Sequence, residues 1–99
     1  MPPGSVVTRM QPIPPEMGPG YWIGAYVPLS YSDLAHWLIN RLSQAGYQLG
    51  GGDAEADEIE ALFERGELSG AFRSRQVAGC PDISLLEIAI QVAHATPAQ

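Results

Sequence analysis

The chain predicts an α+β fold: one amphipathic helix packed on an antiparallel sheet of about four strands, in the order β-α-β-β-β, preceded by a proline-rich arm. Three observations carry this. Residues 31–45 form a helix with both its start and its stop written out. Residues 21–27 and 83–92 alternate with the period of strands. Residues 58–75 fold into a hairpin whose cross-strand pairs suit both faces at once. At 99 residues the chain makes one domain with a modest core. The division expected is an arm over 1–20, a single α+β domain over 21–94 and a frayed tail over 95–99.

The arm carries Pro2, Pro3, Pro12, Pro14, Pro15 and Pro19, with Gly4, Gly18 and Gly20 among them. Proline fixes φ and removes a donor, so the arm is expected to be extended, partly polyproline-like and without regular structure. It would run over the outside of the domain. Pro12 and Pro15 have the spacing of a ligand for an aromatic groove, but Arg9 is the only nearby cation, which favours a tether. Residues 21–27 are aromatic and β-branched, bounded by Gly20 and Pro28. Tyr21, Ile23, Ala25 and Val27 then share one face; Trp22, Gly24 and Tyr26 share the other.

Ser30 stands at the N-cap of the helix with Asp33 three residues on, and Leu29 and Leu34 are spaced as a hydrophobic staple. Leu34, Ala35, Leu38, Ile39, Leu42 and Ala45 recur at three- and four-residue intervals and form the buried stripe. Trp37 lies at its edge, and His36 falls on the polar side. Gly46 at C′ and Tyr47 at C″ predict a Schellman ending with a contact back to Leu42.

Residues 47–49 begin a further strand that Gly50-Gly51-Gly52 interrupts as a turn or bulge. A phosphate loop would need Gly-Lys-Ser/Thr after the glycines, and acids follow instead. Residues 53–67 fit a helix by propensity and a strand by alternation. The hairpin decides for the strand. With Gly66-Glu67 as a type II′ turn, Phe63 faces Gly70 and Ala61 faces Phe72 on one side. On the other side Glu60 faces Arg73 and Glu58 faces Arg75, two opposite-charge pairs. Residues 78–82 read as a turn. In 83–92, Leu86, Ile88, Ile90 and Val92 alternate with Glu87, Ala89 and Gln91, as in a strand. Ser84 and Glu87 also have capping-box spacing, which keeps a helix as the competitor.

Composition narrows the function. Eleven acids against five arginines give a formal charge of −6, with 45% hydrophobic and 16% charged residues. That balance argues against nucleic acid and anionic membranes as partners. No apolar run is long enough to span a bilayer, and the chain shows no signal peptide, so no membrane insertion is expected and localisation stays open. A lone Cys80 is expected to be structural. No cofactor and no catalytic or metal-ligating set is predicted. Asp53, Glu55, Asp57 and Glu64 have the spacing of a calcium loop, but Glu58 replaces the glycine that its turn needs. His36 and His94 lack an i, i+4 partner ligand.

The aromatic residues point elsewhere. Trp22 and Tyr26 lie on the strand face that the helix does not cover, and Leu62, Ala71, Leu85 and Ala89 share that parity. Trp22, Tyr26, Leu62 and Ala71 are therefore the interface candidates. The leading expectation is a non-enzymatic interaction or structural domain working through this face or the arm. Its partner is another protein or a second copy in a weak to moderate homodimer that Trp22→Arg would abolish. The alternative is a small-ligand or metal-binding protein, enzymatic or not, using the acidic segment 53–64 and His36.

Overall fold

The computed structural model describes residues 1–14, 16 and 19–92. The elements run β1 (Val6–Pro12), β2 (Gly20–Val27), α1 (Tyr31–Gln44), β3 (Gln48–Leu49), β4 (Ala54–Glu55), β5 (Glu58–Arg65), β6 (Leu68–Val77) and β7 (Cys80–Val92). All strands join one antiparallel sheet of order β1-β2-β7-β6-β5-β3, with β4 also pairing β5. The α+β class with a single helix is as predicted; the sheet has seven strands where about four are expected. The four strands read from periodicity are its centre, β2-β7-β6-β5. The others are β3, β4 and a strand drawn from the arm.

That last strand corrects the reading of the arm as lacking regular structure. Between Pro3 and Pro12 the chain is proline-free, and Val6, Val7 and Thr8 favour an extended backbone that can pair. β1 pairs with β2 from Val6↔Tyr26 to Pro12↔Tyr21, with a bulge between Val7 and Arg9. Pro12 closes it at the sheet edge, where a missing N–H costs no ladder bond. Pro15 of the suggested groove-binding motif, His94 and the tail fall outside the described residues.

α1 has the predicted ends. Asp33 N donates to Ser30 Oγ at 3.2 Å. At the other end Tyr47 N donates to Leu42 O (2.9 Å) and Gly46 N to Ser43 O (3.1 Å), with Gly46 at φ 88°, a Schellman turn. Arg65 Nη1 adds a bond to Ala45 O at 2.7 Å, and the Tyr47 ring meets Phe63 edge-on at 5.4 Å. Leu34, Ala35 and Leu38 are buried against Ala25, Val27, Phe63, Phe72 and Leu86, and the helix lies over β3, β5, β6 and β7.

The hairpin register is the predicted one, from Glu58↔Arg75 to Arg65↔Leu68. Gly66 has φ 58° while Glu67 after it is not positive, as a type II′ turn requires. Phe63 covers Gly70 so closely that an added Cβ would lie 2.6 Å from the ring. The turn at 78–82 is shorter than expected. Only Ala78 and Gly79 turn, and Cys80 already pairs with Val77. The register slips between Gln76 and Val77, so Pro81, Asp82 and Ile83 lie in a strand segment without a partner on either side, where a proline is tolerated. The C-terminal segment is strand, not helix.

Two fully buried serines seat the helix. Ser74 Oγ donates to Tyr31 O at 2.8 Å and Ser84 Oγ to Leu29 O at 2.7 Å, so β6 and β7 grip the turn where β2 becomes α1. Ser74→Ala and Ser84→Ala are each expected to lower unfolding free energy by about 1 kcal/mol. Urea denaturation measures this, with Ser43→Ala, on the exposed helix surface, as the near-neutral comparison.

Candidate functional site

Antiparallel pairing aligns residues of equal parity in rows across the sheet. On the face away from α1 one row runs Trp22–Ala89–Ala71–Leu62 across β2, β7, β6 and β5. Two large side chains thus stand at the ends, with two alanines between them. Neighbouring strands are about 4.8 Å apart, so Trp22 and Leu62 flank a gap of roughly 14 Å floored by methyl groups. The result is a trough of about 620 Å³.

The next row is polar: Gly24–Glu87–Arg73–Glu60. Arg73, on central β6, has Glu60 Oε1 at 2.9 Å from one neighbour and Glu87 Oε1 at 3.7 Å from the other; Glu58 Oε1 lies diagonally at 3.6 Å. Its hydrogen bond to Glu60, with the attraction of all three carboxylates, raises its pKa further despite slight desolvation, so it stays charged. One guanidinium is therefore shared among three carboxylates, which leaves this wall of the trough net negative. Asp53 and the Gly51-Gly52 backbone form the far wall. The glycine run continues the sheet edge: Gly50 N donates to Leu62 O (2.7 Å) and Asp53 N to Glu60 O (3.2 Å).

Here the expected pairing of Glu58 with Arg75 fails. The two are in register, yet Arg75 forms no ion pair among the described residues, because Glu58 turns to Arg73.

Of the interface candidates, the structure brings Trp22, Leu62 and Ala71 together in the trough. Tyr26 lies on the same face in a separate row, Tyr26–Leu85–Arg75–Glu58, exposed but outside the trough. Trp22 is half-buried, with the Arg9 guanidinium 4.1 Å from its ring centroid. Gly24 leaves the space that Arg9 crosses. Ala89, Glu87 and Arg9 complete the site without having been singled out. Ala89 has a parity signal; Glu87 needed the β6–β7 register, and Arg9 needed β1 itself.

The acidic segment does not converge. Glu55 pairs opposite Glu58 and Glu64 opposite Gln48, six residues apart on one strand, or roughly 20 Å. His36 is exposed on α1, on the opposite side of the sheet. Among the described residues no three His, Cys, Asp or Glu side chains group to hold a metal, and no helix is long and apolar enough to cross a membrane. Comparison with protein-family models, with curated proteins and with solved structures finds no significant match to this chain.

The charge network should be measurable but small. Arg73 and Glu60 are both over a third exposed, so a double-mutant cycle between them is expected to give a coupling of about 0.2–1 kcal/mol that shrinks with added salt. Urea denaturation of Glu60→Gln, Arg73→Gln and the double variant checks it; no coupling at low salt would contradict the geometry.

Proposed function

We propose that this chain is a non-enzymatic interaction domain whose open sheet face receives a segment of a partner protein, one carrying apolar side chains flanked by basic ones. The observation that carries the reading is the trough. It combines an apolar floor with a wall on which three carboxylates share one arginine. An interface residue contributes most when an apolar anchor fills such a recess while the polar rim supplies orientation. Lysine or arginine beside that anchor would meet the carboxylate oxygens that Arg73 leaves unengaged, and complementary charge speeds encounter and rejects acidic competitors.

The shape also suits a protein segment better than a compact metabolite. The trough is open along the rows, and its alanine floor offers contact area without a set of converging polar groups that would read a small molecule.

A defined probe tests this. A short peptide alternating leucine and arginine, titrated into the labelled full chain, is expected to shift the Trp22 indole and the amides of Leu62, Ala71 and Ala89. The shifts should weaken with salt and vanish in Leu62→Asp. A leucine–glutamate peptide of equal length should leave those signals in place. Shifts confined to the helix surface, or equal response to both peptides, would contradict the reading.

A further inference from the structure

The strand order ends on one side at β1, whose outer edge no other strand takes up among the described residues. All seven of its residues are exposed. An edge of this length presents unpaired N–H and C=O groups, which proteins ordinarily break up or cover with charge. The other edge is treated that way. There β3 and β4 are two residues each, joined by Gly50, Gly51 and Gly52, with Asp53, Glu55 and Asp57 around them.

β1 is protected only in part, by its bulge, by Pro12 and by the single charge of Arg9. Among the described residues eight large apolar side chains are exposed. Val6, Val7 and Met10 are on β1, Met1 precedes it, and Tyr21 and Tyr26 are on adjoining β2. Val7, Met10 and Tyr21 share the helix-side face by register with Ala25, Ile23 and Pro12, while α1 lies over β3, β5, β6 and β7. That end of the sheet is thus open on its edge and apolar beside it.

Charge says what could meet it. Residues 1–32 contain one acid, Glu16, and one base, Arg9, so the entire formal −6 resides on 33–99. Repulsion between the net charges of two copies is least when they approach through this neutral end. A strand edge is also self-complementary under a two-fold axis, since an antiparallel copy offers the same donors and acceptors in reverse order. We propose that the free edge of β1 is a homotypic docking site at which a second copy of this chain pairs antiparallel, β1 against β1. The bulge at Thr8 and Pro12 shorten the run of ladder bonds, so Val7, Met10 and Tyr21 supply the apolar contact that completes the interface. The Ala71 and Leu62 end of the trough stays free in such a dimer, because both belong to strands remote from β1 in the sheet order.

Sedimentation velocity of the full chain, over a range of concentration and salt, tests the proposal. The expected result is a reversible dimer at high micromolar concentration that tightens with salt as repulsion between the acidic remainders is screened. Val7→Asp and Met10→Asp, both at exposed positions, should weaken it by at least about tenfold. Leu62→Asp, in the trough, should leave it intact. Circular dichroism and the urea midpoint confirm folding of each variant. Hydrogen exchange of the wild type gives a second reading that needs no variant: β1 amides should slow as concentration rises. A monomer at every concentration, a dimer that survives both edge substitutions, or one dissolved by Leu62→Asp would each overturn the proposal.

Discussion

The hydrogen bonds from Ser74 and Ser84 to the carbonyls of Tyr31 and Leu29 fix where α1 lies. They hold its first turn to β6 and β7, and the Schellman turn with Tyr47 against Phe63 holds its last to β5. Buried hydroxyls without partners would each cost free energy, so the two serines favour one seating of the helix over any shifted one. Pinned at both ends, α1 covers the middle of one sheet face. The core of Leu34, Ala35, Leu38, Phe63, Phe72 and Leu86 forms beneath it.

Everything the helix leaves uncovered follows from that placement. Among the described residues the far face has no second layer, and its rows follow the order that pairing dictates. Where alanines meet in the middle of a row, the sheet sinks into a trough; where Arg73 sits in the middle, carboxylates gather from both sides. β1 extends past the helix and keeps Val6, Val7 and Met10 in water, with Tyr21 and Tyr26 of β2 beside them. Surface of this kind is unusual on a chain that works alone, and both proposals above rest on it. They differ in place: one concerns the centre of the open face, the other its free edge.

How much of this was legible varies with the range of the interaction. The helix could be read whole, because caps, staple and stripe lie within 29–47. The hairpin could be read in register, because Phe63 with Gly70 and Glu60 with Arg73 constrain a short loop from both faces. β1 was hidden because its prolines dominate the local pattern, and only pairing with β2 turns the stretch between them into a strand. Glu87 was hidden because its partner is set by the β6–β7 register, and the slip at Gln76 and Val77 obscures that register from the turn side. Ser74 and Ser84 share the parity of the core residues Phe72 and Leu86, but a serine there does not reveal its partner. Their role depends on a carbonyl more than forty residues away. Trp22, Leu62 and Ala71 could be assigned to one face by parity. That they share a row, and that Tyr26 does not, needed the pairing of four strands.

One helix covers one face of the sheet, and none of the described residues forms a layer over the other. Hydroxyl-radical footprinting of a dilute sample, read residue by residue by mass spectrometry, tests it most directly. Leu62 and Tyr26, which are 55% and 46% exposed, are expected to oxidise readily, while Phe63 and Phe72, at 4% and 2%, are expected to be protected. Leu62 and Tyr26 protected to the level of Phe72 would mean that the face is closed, which would contradict a one-helix, one-face arrangement.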